Sequence, residues 1–395
     1  MWRWWRFRSS QPKGDYPQRA DWSAPYGGGV HLSGYVFRDR NRDGVLDVGD
    51  LPMALVVVTV TRPDGKIFTV RSNDSGFANF EMSRTERNAV LRKPGDYVFS
   101  VHVPPGWVLT TGNASQRTTL EDLPGAPADM VSRNPPRPFG LAPVLTIGGR
   151  VAVRGKAGAA TSPEGITLSA RSPGGRTVDV PLAPGGAFEI SAEPGPWTLI
   201  ARAAGSGPSI ERALVVRDAP VRLSTIVLGD PAVEPSGRRF TIDFESMTGT
   251  QIAKIPSGVA GLNWDYLNVI DANTGGDAYT NNVTSGHYVG YGSSGHPVTI
   301  SRAGGFDFLG ASFGLGSREG EGDTLRVQAF RGDTAVAEDE LRLSSLGPVR
   351  FDAEFRRIDR LVLTTRHYWQ LVVDDMEVCV PGGDAVPAPG APAHP

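Results

Sequence analysis

Short apolar runs recur along the chain, each bounded by turn residues: SGYVF from Ser33, ALVVVTV from Ala54, KIFTV from Lys66 and YVFSVHV from Tyr97. Alternation of this kind puts one side of a strand on a core and the other in water. Helical periodicity is scarce; only SRTERNAVLRK, Ser83 to Lys93, predicts a short helix. Gly and Pro, 49 and 32 residues, fall as punctuation between the apolar runs. Strands of this length with turns this frequent predict sandwiches rather than strand–helix–strand units. The expected fold is all-β, with three consecutive sandwich domains.

A weak internal repeat sets the first boundary. Gly34-Tyr35-Val36 matches Gly149-Arg150-Val151, ALVVV at Ala54 matches EGITL at Glu164, and the turn Pro63-Asp64-Gly65 matches Pro173-Gly174-Gly175. GFANF at Gly76 matches GAFEI at Gly186, and PGDYVFSV at Pro94 matches PGPWTLIA at Pro194. Each copy ends on a Pro-Gly turn, an aromatic residue and an alternating strand, and that aromatic would plug one end of a core. The expected divisions are 30–143, 144–230 and a different β domain at 237–381, with GDPAVEPSGRR as a linker. The tail 382–395, rich in Pro, Ala and Gly, predicts an extended spacer.

A formal charge of −2 over 395 residues offers nothing to a nucleic acid. The single cysteine, Cys379, excludes an intrachain disulfide and reads as a buried strand residue. No segment is apolar for long enough to span a membrane as a helix. The first 29 residues begin MWRWWRFRSSQPK, basic and aromatic. The expectation for them is a disordered start; contact with anionic lipid is the alternative.

One loop carries chemistry. In FRDRNRDGVLDVGD, Phe37 to Asp50, oxygen-bearing side chains fall at alternate positions. Read as a twelve-position cation loop, Asp39, Asn41 and Asp43 take positions 1, 3 and 5, and Gly44 the sharp turn at 6. Val45 offers its carbonyl at 7, Asp47 stands at 9 and Asp50 at 12. Arg38, Arg40 and Arg42 are expected on the outward positions. The implied cofactor is calcium. Position 12 is usually Glu; the shorter Asp50 predicts weak binding, roughly 10⁻⁴ to 10⁻³ M, a range suited to extracellular modules. Strand-like runs flank the loop where an EF-hand would have helices, so the cation would stiffen a sandwich.

These residues carry a resemblance. GYVFRDRNRDGVLDVGDLPMALVVVTVTRPDG, SNDSGFANF and KPGDYVFSVHVPPGW resemble the SdrD B-like domain of bacterial surface proteins. The resemblance implies an Ig-like sandwich with bound calcium, acting as a stiff spacer; the chain departs from it at Ala78 and Asp50. Residues 144–230 resemble carboxypeptidase regulatory-like or transthyretin-like sandwiches. Residues 237–381 are similar to jelly-roll domains that look like carbohydrate-binding modules. That similarity implies a second calcium where first and last strands meet, with Asp243 and Glu245 facing Asp374 and Asp375.

Sugars are held by flat aromatic faces and a few polar groups. Trp264, Tyr266, Tyr288, Tyr291 and Trp369 are the candidates, and Trp264 and Tyr266 would share a face by strand parity. Gly310 to Gly314 spells G-x-S-x-G, but no strand-turn-helix pattern surrounds Ser312, and no enzyme is expected. The sequence predicts an exported or cell-surface, non-catalytic adhesion-type protein whose partner is carbohydrate or a surface protein. The alternatives are a purely structural surface component and an accessory of a polysaccharide-degrading system.

Overall fold

Tyr97 and Trp197 show how alternation becomes a fold. In the strand Gly95–His102, Tyr97, Phe99 and Val101 point inward; in Gly195–Ala203, Trp197, Leu199 and Ala201 do the same. Each aromatic also carries a polar atom that must be met once buried. Tyr97 Oη donates to the carbonyl of Lys93 at 2.8 Å, and Trp197 Nε1 to that of Glu193 at 3.0 Å. Both bonds reach back four residues, over the Pro-Gly turn that precedes each strand.

The computed structural model describes residues 30–84, 87–123, 126–154, 160–161, 165–205, 207–229 and 234–381. The segments 1–29 and 382–395 lie outside the described residues. The fold is all-β, built of packed sheets, with helix confined among the described residues to short turns such as Asp277–Asn281. The chain divides into two compact units, Met1–Pro143 and Val144–Pro395.

In the first unit Val30–Arg38 pairs antiparallel with Phe77–Met82 and with Leu51–Pro52, and parallel with Phe139–Pro143. The other sheet runs Ile67–Arg71, Val57–Thr61, Gly95–His102, Ser115–Leu123, Ala126–Ser132. Phe80 and Phe99 meet edge to face between the sheets, centroids 5.5 Å apart. Burying rings of this size stabilises by about 1.5–3 kcal/mol each. The segment from Ser83 to Lys93 is not the helix its sequence predicts. Among its described residues it turns back on the sheet, where Leu91 bridges Met82. Ala89 and Leu91 are buried there, and that burial outweighs helix propensity.

The repeat returns as topology. Thr146–Arg154 pairs antiparallel with Ala187–Ser191 and parallel with Val221–Leu223 and Ile226–Leu228, as Val30–Arg38 does with its own partners. Both copies make the same tight turn: Gly65 N–H reaches the carbonyl of Arg62 and Gly175 N–H that of Ser172, both at 2.9 Å. The two glycines share a φ of 80°.

Residues 144–230 and 237–381, expected as separate sandwiches, have separate cores but lie in one compact unit. Val221–Leu223 pairs in parallel with Val349–Thr365, so one hydrogen-bonded sheet runs through both. Arg212, 5% exposed, ion-pairs with Asp352 and, at 2.9 Å, with Glu354. Thr225 bonds Asp339 through its N–H (3.0 Å) and hydroxyl (2.6 Å). An open strand edge is thereby covered rather than left to water.

Gly76 and Gly65 separate backbone freedom from packing. Both have positive φ, but a Cβ at Gly76 would lie 2.5 Å from the Val36 carbonyl oxygen, whereas Gly65 faces open space. Gly76→Ala should cost at least about 2 kcal/mol and Gly65→Ala about 1 kcal/mol, read by denaturant unfolding of the full chain.

Candidate functional site

The acidic loop is the connection of a hairpin: Arg38 pairs with Leu51 across its base. Inside it, carboxylates hold the backbone. Asp39, fully buried, accepts the N–H of Arg42 (2.6 Å) and of Gly44 (2.8 Å). Asp50 accepts the N–H of Arg40 (3.0 Å) and of Asp47 (3.1 Å). Asn41, Asp43, Val45 and Asp47 face outward, and the Asn41 amide donates to Asp43 (2.9 Å) and Asp47 (3.3 Å). Gly44, φ 78°, leaves no room for a Cβ against the Thr110 carbonyl. The arginines depart from expectation. Arg38 is 2% exposed, because its strand is covered by partners on both sides, and Arg42 turns back to the Pro143 carbonyl at 2.8 Å.

Burial raises the Asp50 carboxyl above its usual range, and the charges of Asp39 and Asp47 push it the same way. Among the described residues no three His, Cys, Asp or Glu side chains are gathered as a cage. The donors are nevertheless all oxygens on one short turn, and a polarised amide N–H already stands between two of the carboxylates. That chemistry fits a hard divalent cation.

The second acidic set encloses the loop 284–288. Asp374, fully buried, accepts Thr284 N–H (2.7 Å), Thr284 Oγ1 (2.8 Å) and Ser285 N–H (3.1 Å). Asp375 accepts the hydroxyls of Thr284 (2.9 Å) and Ser285 (2.7 Å). Glu245 accepts the N–H of His287 (2.7 Å) and Tyr288 (2.6 Å), while Asp243 takes only that of Glu245 at 3.2 Å. These carboxylates clamp a loop. Burial, and then the charge of Asp375, raise the Asp374 carboxyl to about 7.

The aromatic candidates divide. Trp264, Tyr288 and Trp369 are half-buried against the core, and Trp264 Nε1 donates to the Val259 carbonyl at 3.2 Å. Tyr291 meets the buried Tyr279 edge to face, centroids 6.1 Å apart. Only Tyr266 of the five is open, at 54% exposure. It does not share a face with Trp264, because the strand ends at Asp265 and Tyr266 takes a left-handed φ of 61°. Its ring lies 4.6 Å from that of His296. Tyr368, φ 63° and 69% exposed, closes the same end, flanked by the exposed His367. Left-handed backbone at such residues costs on the order of 1–2 kcal/mol. Sequence periodicity could not single out His296, His367 or Tyr368; of the three only His296 stands beside a turn glycine, Gly295.

Ser312 lies inside the strand Val298–Leu315, paired with Arg350 and Asp374 on either side, so G-x-S-x-G forms no elbow. A groove of about 850 Å³ opens at the seam of the second unit, among Arg150, Arg222, Asp339 and Arg342. It holds none of the sequence-derived candidates, and Arg222 and Asp339 are already engaged with Glu189 and Thr225.

No family model matches the chain, and no curated protein matches it. Among solved structures it is similar to the TIE protein of Bacillus anthracis, at 10% identity over 83% of this chain and 51% of that one, TM-score 0.22. It thus spans about half the length of that protein. It is similar to the shaft pilin spaA of Lactobacillus rhamnosus GG at 14% identity over 53% and 99%, TM-score 0.23. A family 16 carbohydrate-binding module gives 12% over 30% and 90%, TM-score 0.19. The sandwich fold itself stands on the strand pairing described above.

A carboxyl whose folded pKa is raised binds its proton more tightly in the folded state. Asp374 therefore adds stability as pH falls from about 7 toward the ordinary 3.8, and that gain is lost as pH rises through 7. Between pH 8 and 5.5 the contribution is about 2 kcal/mol. Asp374→Asn should flatten that part of the stability–pH curve, measured by urea unfolding at each pH.

Proposed function

We propose that this chain is a non-catalytic, exported or cell-surface protein in which a calcium-stiffened sandwich precedes a carbohydrate-binding one. The observation that carries the first half is the hairpin loop Asp39–Asp50, whose oxygen donors crowd a single turn. Asp39, Asn41, Asp43, the Val45 carbonyl, Asp47 and Asp50 would hold the ion. Bound calcium supplies positive charge where carboxylates otherwise repel one another. The residues themselves set the loop's shape, Asp39 and Asp50 through backbone N–H groups and Asn41 through its bonds to Asp43 and Asp47. Two strands that return to pair with each other make such a loop a brace rather than a sensor.

Carbohydrate binding by the second unit is supported by exposed rings at one end of its sandwich, where they add nothing to the core. A flat ring face open to solvent suits the apolar side of a pyranose. Among the described residues no helix is long and apolar enough to cross a membrane.

The stability of the full chain should rise when EDTA is replaced by 10 mM calcium, by about 1.4–2.7 kcal/mol for a dissociation constant of roughly 10⁻³ to 10⁻⁴ M, read as a shift of the melting curve to higher temperature. Asp43→Ala should abolish the difference, leaving the EDTA melting curve close to that of the native chain. Superimposed native curves would remove calcium from the reading.

A further inference from the structure

We propose that the shelf formed by Tyr266, His296 and Tyr368, with His367 beside it, is a neutral-pyranoside subsite, the rings stacking on the sugar and His367 accepting one of its hydroxyls. This deepens the carbohydrate reading above and rests on it. Three non-glycine residues with positive φ gather here: Tyr266 at 61°, Ser294 at 53° and Tyr368 at 63°. Residues held in such backbone persist where the surroundings over-determine them, and they collect at functional sites. Two are tyrosines more than half exposed, so core packing does not account for them.

The surroundings are fixed. Ser293 N–H reaches the Tyr266 carbonyl at 2.8 Å, and His296 N–H the Ser293 carbonyl at 3.1 Å. Gly295 seats the turn on Tyr368, since a Cβ there would lie 1.9 Å from the Tyr368 carbonyl oxygen. On the other side, Tyr368 N–H reaches the Thr365 carbonyl at 3.3 Å and Thr365 Oγ1 the Trp369 carbonyl at 2.7 Å. Trp369 is locked in turn against Gly320, where a Cβ would meet its indole at 2.7 Å. A surface held this firmly has little ordering left to lose when a ligand arrives.

His367 supplies direction. Its Nδ1 lies 2.7 Å from Oδ1 of Asp323, whose Oδ2 accepts the His367 backbone N–H at 3.1 Å. The Asp323 side chain is 1% exposed and the imidazole 67%. A carboxylate only accepts, so Nδ1 carries a proton toward Asp323, and in the neutral form of the imidazole Nε2 offers its lone pair to solvent. A sugar hydroxyl is a donor of the matching kind. The exposed flanking charges, Asp265 beside Tyr266 and Arg366 beside His367, are of opposite sign, which favours neutral sugars over uronates.

Affinity electrophoresis of the full chain against soluble neutral and uronate-containing polysaccharides tests this. We expect retardation by at least one neutral polymer. Tyr266→Asn and Tyr368→Asn, which tolerate left-handed backbone, should each weaken it at least tenfold, and His367→Ala about tenfold. Tyr266→Phe and Tyr368→Phe, which keep the rings, should retain it, as should Trp264→Phe. Native protein that binds no polysaccharide would overturn the carbohydrate reading itself. Binding that survives in the Tyr266→Asn, Tyr368→Asn double variant would overturn this placement and leave that reading standing. Preference for uronate polymers would overturn the neutral class.

Discussion

Three long antiparallel strands, Val298–Leu315, Val349–Thr365 and Leu371–Val380, exchange backbone hydrogen bonds along most of their length. The first of them lies between the other two. Because the strip is long, its parts do different work. Near Val349 it pairs in parallel with Val221–Leu223 and draws the neighbouring sandwich into the same sheet. At the same level, where Ser312 lies between Arg350 and Asp374, the buried Asp374 clamps the loop that carries Thr284. The connection from Thr365 to Leu371 projects His367 and Tyr368 into solvent. A rigid strip of this kind lets loops hold unusual backbone, since the cost of each left-handed residue is spread over a structure that cannot rearrange to avoid it.

A second theme is the work given to carboxylates. In a chain with little helix, loop N–H groups have few regular partners, and a buried donor left unmet costs about 1–3 kcal/mol. Asp39 and Asp50 meet such groups in the acidic loop, Glu245 and Asp374 around residues 284–288, and Asp307 takes those of Ser236 and Arg357. Asp323 does the same for His367 and orients its ring besides. An acidic residue in this chain is therefore not by itself a sign of metal. The loop Asp39–Asp50 stands apart because Asn41, Asp43 and Asp47 remain outward once Asp39 and Asp50 have fastened its frame.

The two sandwich copies illustrate how a repeat survives sequence change. Tyr97 and Trp197 differ in shape and chemistry, yet each fills a core and donates to a carbonyl four residues back. What persists is a buried ring with a polar handle after a Pro-Gly turn. The helix predicted over Ser83 to Lys93 fails for the complementary reason: Ala89 and Leu91 find a place in the core only from a turned, sheet-bound backbone.

Local pattern by itself determined the all-β class, the strand runs, the Pro-Gly and Asp-Gly turns, the repeat and the oxygen spacing of the acidic loop. Each follows from period-two alternation or from backbone angles that neighbouring residues dictate. Tertiary structure alone decided that Arg38 is buried, that Trp264 faces the core while Tyr266 does not, and that residues 144–230 share a sheet with 237–381. It alone brought Tyr266, His296 and Tyr368 together and set Asp323 behind His367. Those relations join positions tens of residues apart, and alternation, which reports only which side of a strand is dry, says nothing about which strands and turns become neighbours.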